Sequence, residues 1–352
     1  MNKLLSLVAC PQCGASWNER WISSPSENDI SCPQCTTFYP AIGSNSFRVL
    51  GDDASKQKDQ LKAFWGDLYR QLYSSSESLG SKELNSELSL LEEYFRKQHH
   101  LAVNEMNLSD LAGKVVLEIG SGSGAHSALF RSYGARVISV DLTPERVLST
   151  ERMLSATEST TADYLCLHAD GESLPIQTDS IDIVYSNGVL HHSPNTEKCI
   201  SEVYRVLKPG GHAAIMLYCR SSALFYSLLM WQGLLNGARF KRREEEWLGM
   251  VTEGKPVNQH AYNPITRVYS RNEILSLLKD FELISLRKGS FLYGQLLPRG
   301  GSLLDQVLNF FSGTRKHRGG LLVYGEDAIL QSNIERWIGT HLGFAWNALI
   351  KK

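Results

Sequence analysis

Short apolar runs alternate with amphipathic stretches between residues 114 and 218. The runs have the length and composition of strands, and the first is apolar enough to be buried on both faces of a sheet. Helices are predicted from Ala125, from Pro144 after an N-cap at Thr143, and over 196–207. The alternation predicts an α/β fold. Its strands are expected at 115–119, 136–140, 164–168, 181–185 and 212–218.

The segments on either side of this core are predicted to be largely helical. Within residues 51–110, Leu61, Phe64 and Trp65 share one helical face, and a polar hinge over 74–85 precedes a second helix. This helical segment is expected either to act as a lid or to pack plainly on the sheet. After the core, strands six and seven are expected at 281–287 and 344–350, with helical insertions at about 221–265 and 290–335.

Candidate chemistry begins at the glycine-rich turn after the first strand. Gly120, Ser121, Gly122 and Gly124 leave few side chains there, so a ligand can approach the backbone and the first N–H groups of the next helix. The spacing is E-x-G-x-G-x-G, whereas the dinucleotide fingerprint G-x-G-x-x-G has its third glycine one residue later. The turn therefore predicts a cofactor site that differs from a dinucleotide site.

Two acidic residues indicate which cofactor fits. Glu118, at the end of the first strand, would repel a pyrophosphate but suits a ligand with an ammonium and a sulfonium. Asp141 ends the second strand and is followed by Leu142, at a place where a carboxylate can accept ribose hydroxyls. The predicted ligand is S-adenosylmethionine (SAM).

Four segments in this order resemble the class I SAM-dependent methyltransferases, in particular the branch that contains quinone and small-molecule methyltransferases. They read VLEIGSGSG, VISVDLT, HADGESLPIQTDSIDIVYSNGVLHH and ISEVYRVLKPGGHAAI. The resemblance implies a Rossmann-like sheet of seven strands in the order 3-2-1-4-5-7-6, with strand 7 antiparallel and helices on both faces, over residues 111–352. The alternative is an α/β domain whose glycine loop is only a tight turn.

The same resemblance implies roles for residues at the other strand ends. Asp170 is expected to accept a hydrogen bond from the adenine amine, beside Gly171, and Asn187 and Gly188 to lie near the methyl group. His191 and His192 are catalytic candidates because a histidine can remove an acceptor proton near neutral pH, although packing is the alternative. The candidate substrate-binding residues are Tyr218, Arg220, His260, Tyr262, Arg267 and Tyr269.

Four of the seven cysteines form a separate motif near the beginning of the chain. Cys10, Cys13, Cys32 and Cys35 stand in two C-P-Q-C pairs, and four thiolates so spaced can hold one structural Zn²⁺ ion. Disulfides are the alternative. The motif and the sequence that follows it resemble a small zinc-ribbon family whose members activate methyltransferases as a separate subunit. Residues 1–50 are thus expected to form a zinc ribbon that braces the fold, binds a protein partner or walls the acceptor site.

Charge and hydropathy indicate what the protein binds and where in the cell it is expected. The chain has 352 residues and a formal net charge of −1, so no global field draws it to nucleic acid or to an anionic membrane. We expect no secretory signal and no transmembrane span, which predicts a cytoplasmic protein. The apolar stretch 222–240, followed by Lys241, Arg242 and Arg243, is read as a lid or core helix, with a helix on a membrane surface as the alternative.

Three functions remain open from the sequence. The first is methyl transfer to a small or lipid-like biosynthetic acceptor by in-line displacement. The second is methylation of RNA, with the ribbon binding the substrate and a basic cluster at 315–318 contributing, although nucleic acid is the less favoured acceptor. The third is a non-catalytic SAM-binding or assembly protein.

Overall fold

A computed structural model describes residues 2–17, 30–50, 56–72, 79–159, 163–235, 237–253, 262–296 and 315–352. The strands are β1 (Ile30–Ser31), β2 (Phe38–Tyr39), β3 (Ser46–Arg48), β4 (Val115–Ile119), β5 (Arg136–Asp141), β6 (Tyr164–His168), β7 (Ile181–Asn187), β8 (Leu207–Tyr218), β9 (Glu282–Gly289), β10 (Lys316–His317), β11 (Ala328–Ile329) and β12 (Ala345–Lys351). The α-helices are α1 (Lys56–Leu72), α2 (Ser81–Gln98), α3 (Leu101–Asn104), α4 (Ala125–Ser132), α5 (Pro144–Ala156), α6 (Thr196–Val206), α7 (Ala223–Leu228), α8 (Glu244–Thr252), α9 (Arg271–Leu277), α10 (Leu321–Tyr324) and α11 (Asn333–Leu342).

The central sheet has eight strands, in the order β3-β6-β5-β4-β7-β8-β12-β9. The strands from β3 to β8 are parallel, and β12 runs antiparallel to both β8 and β9. The fold is thus α/β and Rossmann-like, but the predicted count of seven is wrong. The additional strand is β3, which comes from the cysteine-rich segment and pairs with β6 at the edge of the sheet.

Local polar signals account for the other differences from the sequence prediction. The proposed hinge over 74–85 includes the first turns of α2, because Glu83 closes a capping box with the backbone at Gly80 and starts the helix at Ser81. Thr143 stands at the N-cap of α5, but its hydroxyl donates to Asp141 instead of accepting from the helix. Ser270 does cap α9 through the expected side-chain bond.

Apolar side chains fill both faces of the sheet, and the cysteine-rich segment shares one of these cores. Trp17, Tyr39 and Phe47 belong to the same buried cluster as Leu117 of β4. Backbone bonds reinforce this contact, since Ala9 donates to Pro175 and Val49 to His168. The segment before α1 is therefore built into the sheet edge. None of the described helices is long and apolar enough to cross a bilayer.

Candidate active site

A cleft opens at the carboxyl ends of β4, β5, β6 and β7. Parallel sheets place the free ends of several strands side by side here, which is where open α/β sheets bind ligands. Helix α1 crosses the cleft and contributes Leu61, Trp65 and Tyr69 to its wall. The predicted residues that line it are Gly120, Gly122, Asp141, Leu142, Asp170, Gly171, Gly188 and His192.

The turn after β4 requires glycine for two physical reasons. Gly120 has φ of +79°, and a Cβ atom there would lie 2.4 Å from the Val189 side chain. Gly122 has φ of +54° and would bring a Cβ atom to 3.2 Å from the Tyr69 hydroxyl. The lack of side chains thus lets the loop after β7 and helix α1 close on the turn, which leaves the backbone as the floor of the cleft.

Asp141 joins the glycine turn to the start of α5. One carboxylate oxygen accepts from the Gly122 backbone N–H at 3.1 Å, and the other accepts from the Thr143 N–H at 2.9 Å and the Thr143 hydroxyl at 2.8 Å. Burial raises the pKa of this carboxyl, and these hydrogen bonds oppose the rise. Asp141 is therefore a fixed acceptor at the end of β5.

Helix α1 is fastened to the far end of the cleft by a buried ion pair. The Lys58 ammonium lies 2.7 Å from Asp170 and 3.0 Å from Glu172, with only 5% of the lysine side chain exposed. Glu172 also accepts from the hydroxyl of Ser193 and from the Asn195 N–H. Burial alone would raise the pKa of Glu172, but these hydrogen bonds and Lys58 lower it overall. Lys58 thus links α1 to the loops after β6 and β7.

His192 is the histidine that faces the cleft. Its Nδ1 lies 3.0 Å from the Ile265 carbonyl oxygen, and its Nε2 lies 3.5 Å from the Glu253 carboxylate. The imidazole also contacts the Trp65 ring, with centroids 5.1 Å apart. Burial lowers the pKa of His192, whereas the Glu253 charge opposes that change. A neutral ring with Nδ1–H bonded to the carbonyl would leave Nε2 free to accept a proton beside a carboxylate.

The structure places His191 elsewhere. Its ring is completely buried and stacks on Tyr218 with a centroid separation of 3.9 Å, and neither ring nitrogen has a hydrogen-bond partner among the described residues. Burial keeps the pKa of His191 well below its usual range. The ring is therefore a packing element under the turn and is not positioned to meet a ligand.

The predicted substrate-binding residues are not part of the cleft wall. Tyr218 donates to Glu253, Arg220 pairs with Glu244, and the Arg267 guanidinium donates to the Ser193 carbonyl. Tyr269, like Arg267, lines a separate surface groove, Tyr262 is exposed, and His260 lies outside the described residues. Tyr218, Arg220 and Arg267 thus hold the loops around β8 together.

Four predicted cofactor-binding residues also stay outside the wall. Ser127 donates to the Glu118 carboxylate, and the His126 ring lies 3.5 Å from its other oxygen, so Glu118 faces α4. Ser121 accepts from Thr150, and Gly124 is the N-cap of α4. Asn187 ends β7 without reaching the cleft wall. These residues support the turn on the side that faces away from the cleft.

Sequence reasoning missed Lys58, Tyr69 and Glu253. For two of them a signal existed, because Lys58, Leu61, Trp65 and Tyr69 follow one another at intervals of three or four residues and share a helix face. For Glu253 there was none. It comes to His192 from the end of α8, 61 residues along the chain.

The four cysteines of the paired motif converge on one point. All their sulfur atoms lie within 4.8 Å of one another, with 3.5 Å between Cys10 and Cys35 and between Cys13 and Cys32. Tetrahedral zinc with Zn–S bonds of about 2.3 Å separates its sulfurs by about 3.8 Å, whereas a disulfide needs about 2.05 Å. The Tyr39 hydroxyl lies 2.9 Å from Cys10 and the Thr37 hydroxyl 3.1 Å from Cys35. The donor set fits zinc.

Residues 117–215 match the family model of a methyltransferase domain. Similar proteins include an arsenite methyltransferase of Halobacterium salinarum, 32% identical over 29% of this chain and 27% of that protein. They also include phosphoethanolamine N-methyltransferase 1 of Triticum aestivum, 28% identical over 44% of this chain and 32% of that protein. An uncharacterized methyltransferase of Mycobacteroides abscessus is 32% identical over 30% of this chain and 40% of that protein.

Among solved structures, one chain of the complex between the Haloferax volcanii Trm112 methyltransferase activator and a methyltransferase is similar, with a TM-score of 0.47 and 14% identity. The similarity covers 83% of this chain and 96% of the chain in that complex. A SAM-dependent methyltransferase from Aquifex aeolicus has a TM-score of 0.40 and 12% identity, over 75% of this chain and 97% of the Aquifex chain. The chain spans less than half the length of the curated relatives it matches. The matches support a methyltransferase domain in the central part of the chain.

Proposed function

We propose that this chain is a SAM-dependent methyltransferase and that the cleft holds SAM. The observation that supports this most directly is Asp141, a partly buried carboxylate fixed at the end of β5 by Gly122 and Thr143. It would accept from the ribose, while Asp170 and the Gly171 backbone meet the adenine at the end of β6. Gly120, Leu142 and Gly188 would contact the cofactor from the floor and rim.

The remaining predicted residues would act indirectly. Glu118, Ser121, Gly124 and Asn187 would hold the turn in shape through the contacts behind it. Two aromatic rings of α1, Trp65 and Tyr69, line the cleft and make this part of its wall apolar. Such a wall suits a sulfonium better than a pyrophosphate.

A sulfonium supplies an already activated methyl group, so the protein's tasks are orientation, exclusion of water and removal of a proton. Helix α1 would exclude water because it covers the cleft. His192 would accept the proton at Nε2 in the tautomer whose Nδ1–H donates to the Ile265 carbonyl. In the other tautomer Nδ1 would accept from the Asn263 amide, which lies 2.9 Å away, and Nε2 would already carry a hydrogen. Glu253 would stabilise the resulting imidazolium from 3.5 Å. We therefore assign the base to His192 rather than to His191.

The acceptor is proposed to be a small or lipid-like molecule. Apolar side chains dominate the described wall, including Leu61, Val189 and Leu190. The basic cluster that could favour RNA is largely neutralised, because Arg315 pairs with Glu335 and Arg318 with Glu87. Few cations are left there for a phosphate backbone.

The cysteine cluster is proposed to bind one structural zinc ion that braces the sheet edge. Four sulfurs at tetrahedral spacing leave no open ligand position, so the metal would have no part in methyl transfer. Binding of a protein partner through the same segment is compatible with bracing, because the Phe38 side chain beside the cluster is exposed.

Calorimetry with SAM, followed by incubation with isotopically labelled SAM and cell extract, tests the proposal. We expect heat from SAM and one labelled small or lipid-like product, with bulk RNA failing to compete. Tight binding of NAD without heat from SAM would refute the cofactor assignment. Binding of SAM without any labelled product would indicate a non-catalytic SAM-binding protein, and a labelled RNA would indicate the alternative acceptor.

A further inference from the structure

The segment from α7 to residue 243 presents an apolar surface that no described element covers. Helix α7 continues into a π-helical stretch, Leu229–Leu235, and a short 3-10 turn, Ala238–Phe240. Six large side chains on these elements are 39–77% exposed. They are Tyr226, Met230, Trp231, Leu234, Leu235 and Phe240, and we call them the apolar patch.

The spacing of these side chains follows the helical repeat. Met230, Trp231, Leu234 and Leu235 lie in the π-helical stretch, whose wide turn brings residues four and five apart to one face, and Tyr226 precedes Met230 by four residues in α7. The opposite face is already satisfied. Phe225 and Leu228 pack in a buried cluster with Trp247. Gly233 is also buried, and a Cβ atom added there would lie 3.7 Å from the Trp247 ring. The patch is thus a second apolar face of an element whose first face is in the core.

The charged side chains within the segment that carries the patch are all basic, and Glu244, Glu245 and Glu246 follow it directly. Residues 222–243 contain four basic side chains and no Asp or Glu. Arg243 forms an ion pair with Glu246, and Arg220 forms one with Glu244. No carboxylate in the described part of the chain lies within ion-pair distance of Arg239, Lys241 or Arg242. Three exposed cations therefore border the exposed aromatic and aliphatic side chains.

We propose that the apolar patch seats on an anionic lipid bilayer, with Arg239, Lys241 and Arg242 meeting the headgroups. Leu, Trp and Phe beside Lys and Arg are the composition of helices that lie in a membrane interface. Tyr226 and Trp231 have the amphipathic rings that collect at headgroup depth. An anionic bilayer meets both features at once, because its headgroups pair with the cations while the boundary with the acyl chains receives the apolar side chains.

The position of the patch fits this partner. Helix α7 begins five residues after β8 ends, at the same edge of the sheet as the cleft. A lipid-like acceptor, which rests on the proposed function, would then be drawn from the surface on which the protein sits. Membrane seating itself does not depend on that acceptor.

Flotation of the purified, zinc-loaded full chain with phosphatidylcholine vesicles, with and without phosphatidylserine, tests the inference. We expect binding to the vesicles with phosphatidylserine, weaker binding to the neutral ones, and loss as salt increases. Changing Trp231→Ser with Leu235→Ser should weaken binding by roughly 100-fold, because two interfacial apolar side chains are lost. Changing Arg239, Lys241 and Arg242 to Gln should weaken it by a similar factor on phosphatidylserine only.

The matched control is Ile334→Ser with Trp337→Ser, which removes an aromatic and an aliphatic side chain from α11 that are at least as exposed as Trp231 and about as exposed as Leu235. Its vesicle binding should equal that of the parent. Absence of binding to either vesicle at low salt, or equal loss in the control, would overturn the proposal, as would a concentration-dependent dimer that the patch variants abolish. Thermal unfolding of each variant separates lost binding from lost folding, and heat from SAM shows whether the proposed function stands when vesicle binding fails.

Discussion

Replacing Asp141 by Asn is the sharpest test of the cofactor site. An ionised carboxylate offers about four acceptor positions. Three are taken by the Gly122 N–H, the Thr143 N–H and the Thr143 hydroxyl. About one acceptor therefore remains for a ribose hydroxyl, unless the Thr143 hydroxyl turns away. A hydrogen bond to a charged group contributes about 1.5–3 kcal/mol, so Asp141→Asn should weaken SAM binding by roughly 10- to 100-fold.

Isothermal calorimetry of SAM with the purified variants measures this loss. Thr143→Val provides the matched control, because it removes one internal donor and leaves the carboxylate and the Thr143 N–H bond in place. Its affinity should equal or exceed that of the parent. An Asp141→Asn protein that unfolds at the parent's temperature and binds SAM as tightly as the parent would refute the assignment.

The pH dependence of the same affinity follows from burial. The pKa of Asp141 is raised, so the group takes up its proton at a higher pH than an ordinary Asp, whose pKa is about 3.9. The acceptor is present above the raised pKa and is lost as the pH falls through it. SAM affinity should thus decrease on acidification before ordinary carboxylates titrate, and Asp141→Asn should lack this decrease.

Three further results are expected. Lys58→Met leaves Asp170 and Glu172 without their buried cation and should lower the free energy of unfolding in urea by up to about 3 kcal/mol, with faster proteolysis within α1. Chelation should release one zinc per chain, measured by metal analysis, and lower the unfolding temperature, whereas Cys32→Ser should copurify with little zinc. Glu253→Gln removes the charge that raises the pKa of His192, so the acid limb of labelled methyl transfer should move to lower pH and its plateau should fall, whereas His192→Asn should abolish transfer.

The parts of the fold that the sequence predicted depend on local patterns. The five core strands begin or end within a few residues of their predicted positions, because short apolar runs bounded by glycine or polar residues have few other places in a sheet. The largest shift is β8, which begins at Leu207 instead of 212. There Gly210 and Gly211 let the chain pair beside β7 through an irregular register before the apolar run starts.

Long-range contacts are the parts that could not be predicted. Strand β3 has only three residues, and nothing local shows that they pair with β6, more than a hundred residues later. Long-range contacts also decide why His192 lines the cleft while His191 is buried. Adjacent side chains in a turn point in different directions, and the choice between cleft and core depends on Trp65, Tyr218 and Glu253, which come from three distant elements.

The cysteine cluster and the Asp170 end of the cleft are joined by continuous structure. Tyr39 connects Cys10 to the core that contains Trp17 and Phe47, and the strand that carries Phe47 pairs with β6. Strand β6 leads directly to Asp170, the residue that Lys58 holds from α1. Since loss of a structural metal costs folding free energy, disorder at the cluster would reach the base of β6 before it reached β7. This arrangement gives bracing a physical basis, because the metal would stabilise the edge of the sheet that carries the loop proposed to receive the adenine.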